Sequence, residues 1–174
     1  PLYSSAASDV YKRQVGDLMI INDHISQLTV NPLIGKNESE LGPRFPDMSE
    51  PYKKEFIQKA KAIAAKMNIE VKEGVYCGVT GPTFETRSEY KMIQVLGGDA
   101  VGMSTVPEVI VAIHMGIPVF AMSVITDIGI REEENVITHE EVLEAAKAAE
   151  PKMTAVVKQL ILSLIHISEP TRPY

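Results

Sequence analysis

Two short stretches hold residue types that could do chemistry. In Gly81-Pro82-Thr83-Phe84-Glu85-Thr86, the glycine–proline pair makes a tight turn. Phe84 offers a flat face for a planar ring, and Glu85 offers two acceptor oxygens. Together they suit an aromatic heterocycle that carries N–H donors. The same residues also suit a plain loop, with Phe84 as an apolar staple and Glu85 solvated near the positive end of a helix. The second stretch is Val101-Gly102-Met103-Ser104-Thr105-Val106-Pro107-Glu108. Gly102 lets backbone come close to a ligand, and Met103 is a pliable apolar contact. Ser104 sits beside a helix start, where N–H groups and the dipole favour an anion such as phosphate. Ser104 and Thr105 could equally do no more than share the capping of that helix. Cys77 is the one cysteine. It reads as a small buried apolar side chain rather than a nucleophile.

Elements of alternating type must position these residues. Leu18–Asp23 is an apolar run closed by polar residues and predicts a buried strand. About twenty-five residues follow, rich in Gly, Pro, Asn and Ser, with no clear periodicity; a loop that long is usually functional or mobile. From Ser49, the spacing of Phe56, Ile57, Ala60, Ile63, Ala64 and Met67 predicts an amphipathic helix. Val71–Val79 predicts a strand. Thr86 with Glu89, Thr105 with Glu108, and Thr138 with Glu141 each match the capping box that opens a helix. Gly97-Gly98 and Gly116 are natural helix stops. A short strand lies between the first two of these helices. Ile117–Thr126 is the longest β-branched apolar run and predicts a central strand. Pro151 predicts a kink or division in the last helix.

This order argues for an α/β fold with a mixed, largely parallel central sheet flanked by helices. Ligands of such sheets sit at the carboxyl ends of the strands. Three strand ends therefore matter: Thr80–Glu85, Gly102–Ser104 and Thr126–Gly129.

The chain has 174 residues, 17 Lys+Arg against 23 Asp+Glu, and a net charge of −6. The acidic balance argues against nucleic acid as a partner and against an anionic membrane surface. No apolar run approaches the roughly 20 residues of a membrane span. A single thiol suits a reducing, cytoplasmic setting.

The two ends match nothing between them. Asp9–Gln14 can be encoded as GAT GTG TAT AAG AGA CAG, and the reverse complement of that string encodes Leu162–Ile167. One short DNA element read in opposite orientations explains both ends, and they resemble translated sequencing adapters. The expectation is a domain at 15–161, the C-terminal part of something larger, between adapter-derived segments at 1–14 and 162–174. The alternative is a basic arm at Tyr11–Arg13 and a real helix end at Ser163–Ile167.

The motifs TGPTFETRSEY, GGDAVGMSTVPEVIVA, RFPDMS, NPLIG and THEEVLEAAK together resemble those of the trimeric purine nucleoside phosphorylases. The methylthioadenosine phosphorylases are relatives that share GMSTVPE, Gly102 to Glu108, in similar form. The resemblance runs over essentially all of 15–161. It implies phosphorolysis of purine ribonucleosides to free base and ribose 1-phosphate, with phosphate as co-substrate and no metal or organic cofactor. It implies a homotrimer whose partners are a purine nucleoside and phosphate.

Residue by residue, the resemblance implies that Glu85 accepts from N1–H and from the 2-amino group of guanine, while Phe84 lies against the base. Gly102 and Met103 line the base and ribose, Ser104 contacts phosphate, and His139 reaches the 5′-hydroxyl. Phe45 enters the neighbouring subunit's sugar site. Glu85, Asp127 and His139 form the catalytic set.

Asp127 departs from the family pattern, which has Asn after Ile-Thr. An amide both donates and accepts, whereas an ionised carboxylate only accepts. Either a protonated Asp127 delivers a proton to N7, or Asp127 accepts from a 6-amino group and favours adenosine-type substrates. The family's Gly-rich phosphate loop and its phosphate-binding His and Arg have no counterpart before Val15. The 174-residue chain is therefore expected to be inactive alone. The remaining alternatives are a methylthioadenosine phosphorylase and a non-catalytic purine-binding fragment.

Overall fold

The computed structural model describes residues 14–129 and 138–165. Positions 1–13 and 166–174, which hold most of both predicted end segments, lie outside the described residues. The elements run β1 (Leu18–Leu28), α1 (Lys54–Lys66), β2 (Val71–Val79), α2 (Arg87–Val95), β3 (Ala100–Gly102), α3 (Val106–His114), β4 (Met122–Val124) and α4 (His139–Ile165). The described strands form one sheet in the order β3-β2-β1-β4. β1 and β3 run parallel to β2, and β4 runs antiparallel to β1. The sheet is thus mixed and largely parallel, as the alternation of elements predicts.

The core forms where the apolar patterns meet. Leu18, Met19, Ile20 and Ile21 of β1 are all buried, so this half of the strand is covered on both faces. Ile57, Ala60 and Ala64 make the inward stripe of α1, and Val106, Val109 and Ile110 that of α3. Val156 and Leu160 of α4 complete the cluster. Each fully buried branched side chain contributes roughly 1.5–3 kcal/mol relative to exposure. Leu164 also packs against this cluster, and the α4 helix runs without a break through Leu162–Ile165.

Several expectations need correction. β1 continues past Asp23 to Leu28, because its ladder with β2 resumes after a register shift between Ile21 and Asp23. Beyond that irregularity the strand is largely open to one side, and polar residues are tolerated there. The first helix starts at Lys54 rather than Ser49. Pro51 disfavours helical backbone at Glu50, and the Asp47 carboxylate accepts from both the Ser49 N–H and its hydroxyl, which favours a local turn. The predicted central strand shrinks to Met122–Val124 and lies at an edge of the described sheet. Pro118 has no N–H to donate, and the Val119 carbonyl is taken by the Lys53 N–H at 2.8 Å. Pro151 lies inside a single continuous helix and does not divide it. Packing of Ala149, Val156 and Leu160 on either side of the proline holds the helix in one piece.

The capping boxes divide two to one. Thr86 and Glu89 form the full reciprocal pair. Thr138 and Glu141 do the same at 3.2 and 3.3 Å. Thr105 and Glu108 do not: Thr105 has φ 73 and ψ −59 and makes no side-chain cap. It is instead the middle residue of a γ-turn closed by the Val106 N–H to the Ser104 carbonyl at 2.8 Å. Positive φ at a β-branched residue is an outlier that costs on the order of 1–3 kcal/mol.

Candidate active site

That strained turn bends the chain at the end of β3 and leaves Met103 and Ser104 on the rim of a cleft of about 500 Å³. The cleft is lined by Phe84, Glu85, Gly102, Met103, Ser104 and Asp127, among others. Six of the eight residues singled out from sequence therefore share one cavity. They come from three separate places: the β2–α2 turn, the end of β3 and the segment after β4.

The sheet geometry differs from the expectation that a ligand sits only at carboxyl ends. Because β4 is antiparallel, its carboxyl end faces the start of β1, not the end of β2. The cleft still reaches all three predicted strand ends. It does so by taking in β3 with its flanks, from Gly98 to Ser104, and the β4 residues Ser123 and Val124 with the chain beyond them.

The β2–α2 turn is set by local devices. The Gly81–Pro82 peptide is cis. Thr86 accepts from the Glu89 N–H at 3.3 Å, and Glu89 accepts from the Thr86 N–H at 2.6 Å. With the helix start pinned at Thr86, Glu85 and Phe84 are held immediately ahead of it. Phe84 is 47% exposed, leaving a ring face open, whereas Glu85 is half-buried. Beneath them, burial pushes the Cys77 thiol above its ordinary range, and the Glu85 carboxylate pushes it further. A buried thiol with a raised pKa is a poor nucleophile, in keeping with the structural reading of Cys77.

Tyr76, which the motifs did not flag, supports the β3 end. An added Cβ at Gly102 would lie 2.0 Å from the Tyr76 hydroxyl oxygen. The close approach at Gly102 is thus first to the protein's own tyrosine, and only glycine leaves room for it. Burial raises the Tyr76 phenol above its ordinary range, partly offset by hydrogen bonds with Ser104 and Thr105. The hydroxyl therefore stays protonated at neutral pH and ties down the strained turn.

Asp99 also lines the cleft, but it has structural work to do. Its carboxylate accepts from the Val75 N–H at 2.8 Å, and its own N–H donates to the Val75 carbonyl at 2.8 Å. Tyr90 and Gln94, one and two turns into α2, form a further part of the wall. Their spacing from the Thr86 cap is the signal that could have identified them.

The charge on the cleft is one-sided. Glu85, Asp99 and Asp127 line it, and no Lys, Arg or His does so among the described residues. Such a surface suits a ligand with N–H donors. It is a poor host for a phosphate dianion, because Ser104 and the amides of a helix start supply only partial charge. Among the described residues no group of three or more His, Cys, Asp or Glu could hold a metal ion.

Two predicted residues fall elsewhere. His139 opens α4, and Val142, three residues on, lines the cleft; the His139 side chain lies outside what the structure describes. Phe45 is 88% exposed beside a second cavity of about 430 Å³, lined by Asp23, His24, Asn31 and Arg44 among others. Its loop is built rather than loose. Arg44 donates to the Leu33 and Gly35 carbonyls at 3.2 and 2.9 Å, and its guanidinium lies 5.7 Å from the Phe45 ring centre. Asn37 donates to the Gly42 carbonyl at 3.2 Å, and its side-chain oxygen lies 3.4 Å from the ring nitrogen of buried His114.

Comparison with known proteins agrees with this geometry. Residues 10–162 match the family model described as the phosphorylase superfamily. Purine nucleoside phosphorylase 1 of Geobacillus stearothermophilus is 49% identical over 149 residues, covering 86% of this chain and 54% of that protein. The crystal structure of a Schistosoma purine nucleoside phosphorylase in complex with hypoxanthine superposes with a TM-score of 0.80 at 35% identity, covering 86% of this chain and 56% of that one. The Schistosoma mansoni enzyme in complex with adenosine gives a TM-score of 0.80 at 36% identity, with 87% and 57% covered. The chain spans about half the length of the curated relatives it matches.

Proposed function

This chain belongs to the phosphorylase superfamily, and from that premise we propose that its cleft is the base-reading half of a purine nucleoside phosphorylase site. The observation that carries the reading is the convergence of Phe84, Glu85, Met103, Ser104 and Asp127 on one acidic cleft.

The reaction is a phosphorolysis. A phosphate oxygen forms a bond to the anomeric carbon of ribose, and the bond from that carbon to N9 breaks. The bonding electrons leave on the purine. Stabilising that departing anion is where the protein can act most, because preorganised groups count for more in a water-poor site. Glu85 holds the N1–H edge, and Phe84 lies against the ring. Met103 and Gly102 bound the sugar, and Ser104 touches phosphate. Asp127 delivers a proton to N7 as the ring gains charge. His139 contacts the 5′-hydroxyl, and Phe45 reaches the sugar site of a neighbouring subunit in a homotrimer. On this reading the enzyme works in the cytoplasm and uses no metal or organic cofactor.

The absence of a cationic side chain among the described lining residues carries a consequence. The 174-residue chain supplies the base side of the site and little of the phosphate side. It is expected to bind guanine or hypoxanthine and not to turn inosine over. Titration calorimetry with the free bases and a phosphorolysis assay with inosine check this. Failure to bind any purine, or steady turnover by the purified chain, would overturn the reading.

Asp127 favours a second reading, in which it accepts from a 6-amino group and the parent enzyme prefers adenosine-type substrates, as in methylthioadenosine phosphorylases. A full-length phosphorylase built around these residues separates the two. Preference for inosine and guanosine supports the proton-delivery role. Adenosine preferred at every pH supports the second.

A further inference from the structure

Tyr90 closes the motif TGPTFETRSEY and lines the cleft, yet nothing in the resemblance gives it a role. The ring belongs to the first full turn of α2, where the Tyr90 N–H donates to the Thr86 carbonyl at 3.0 Å. It therefore moves with the capped helix start that carries Glu85. Across the cleft lies Thr126–Gly129, the segment that bears Asp127. An added Cβ at Gly129 would stand 2.3, 2.4 and 2.5 Å from three atoms of the Tyr90 ring. Contacts under 3.0 Å are forbidden to a real side chain, so the ring fills the space that any other residue at 129 would need. Gly129 does not have a positive φ, and no turn geometry accounts for the glycine. Close approach of Tyr90 does.

Tyr90 is thus the packed connection between the element bearing Glu85 and the element bearing Asp127. Both of those carboxylates line the same cavity as Tyr90 itself. A planar ligand that spans them is read by two groups whose separation depends on how far apart α2 and the 126–129 segment stand. Close packing does not yield gradually: removing a ring from such a contact leaves a void into which a loop can move.

We propose that Tyr90 is the positioning and specificity-determining residue of this cleft, its ring holding the Asp127 segment at a set distance from Glu85 so that purines are sorted by their six-membered edge. The selectivity part rests on the purine reading above; the positioning part does not.

The test uses the 174-residue chain with Tyr90→Ala, Tyr90→Phe and Gly129→Ala, each compared with the unaltered chain. Amide hydrogen exchange at Thr126–Gly129 reads the positioning. Exchange is expected to rise at least about tenfold in Tyr90→Ala and Gly129→Ala, as local opening becomes easier, and to stay unchanged in Tyr90→Phe, which keeps the ring. Titration with hypoxanthine and adenine reads selectivity. The ratio of the two dissociation constants is expected to move at least about fivefold toward unity in Tyr90→Ala and to hold in Tyr90→Phe. A general loss of stability would weaken both bases alike and leave the ratio unmoved. Should Tyr90→Ala fail to fold, Tyr90→Leu takes its place, because leucine keeps much of the volume without the ring. Unchanged exchange in both altered contacts overturns the proposal. So does a Tyr90→Phe chain that behaves like Tyr90→Ala, since the hydroxyl would then be the working part. If the unaltered chain binds neither base, the purine reading and the selectivity part fall together, and the exchange measurement decides the positioning part alone.

Discussion

The cleft around Glu85 and the loop around Phe45 use opposite means to hold a side chain in place. In the cleft, each functional residue sits next to a backbone device: a capping box beside Glu85, a γ-turn beside Ser104, a close-packed glycine beside Asp127. In the loop, side chains hold backbone. Arg44 and Asn37 donate to carbonyls several residues away, and the result presents an exposed phenylalanine beside a partly polar cavity. The difference teaches that the acidic cleft draws its lining from turns and strand ends brought together by the sheet, whereas the loop holds Phe45 exposed at the edge of a separate, partly polar cavity.

The largest effect that would sharpen this contrast comes from Glu85→Ala against Phe45→Ala. Loss of the Glu85 carboxylate is expected to weaken guanine binding by the 174-residue chain about 100-fold, the worth of charge-assisted hydrogen bonds to a buried edge. Phe45→Ala should leave single-chain guanine affinity unchanged. Calorimetry on the two variants checks both, and equal losses would break the distinction between the regions.

An intermediate effect should follow from Thr86→Ala. It removes one half of the capping box ahead of α2, and the expected cost is about 1 kcal/mol in urea unfolding. Thr105→Ala removes no cap, since none exists there, and should not show the same capping loss. A matching loss that persists in a Tyr76→Phe background, where the contact of Thr105 with the Tyr76 hydroxyl is already gone, would mean that Thr105 caps α3 after all.

The smallest effect belongs to His24, beside the loop cavity. Its Nδ1 lies 3.0 Å from the Tyr52 hydroxyl, with the rings edge to face at 5.7 Å. Burial holds the imidazole below its ordinary pKa of 6.5, with nearby Asp23 opposing. A depressed folded-state pKa means that the unfolded chain takes up the proton first. The stability contribution of neutral His24 is therefore whole above about pH 6.5 and declines as pH falls toward the folded value. Melting temperatures across that range should drop less steeply in His24→Gln. An equal slope would show that other groups set the acid response.

Much of this fold was legible because local signals agreed. Val71–Val79 forms the predicted strand with its predicted ends, and two of the three capping boxes open helices where the sequence puts them. These features depend on residues a few positions apart, which the sequence lists side by side. The third box was illegible for a definite reason. Nothing near Thr105 in the chain reveals that Tyr76, about thirty positions earlier, brings its hydroxyl against Gly102 and hydrogen-bonds with Ser104 and Thr105. Likewise Ile117–Thr126 has the composition of a central strand, but its neighbours decide where a strand pairs. Here the Lys53 N–H takes the Val119 carbonyl, and regular pairing with β1 spans three residues, with further backbone bonds at Ala121 and Ile125 on either side.

By itself the sequence determined the residue types and spacings that carry the family resemblance, the capped starts of α2 and α4, and the acidic character of the chain. Those are properties of composition and of contacts within one or two turns. Only the tertiary structure decided that Phe84, Glu85, Met103, Ser104 and Asp127 share a cavity while Phe45 stands apart from it. It alone decided that Tyr76 packs against Gly102 and Tyr90 against Gly129. The reason is physical: sheet pairing and core packing bring together segments tens of residues apart, and the energy of those encounters is written in no single stretch of the chain.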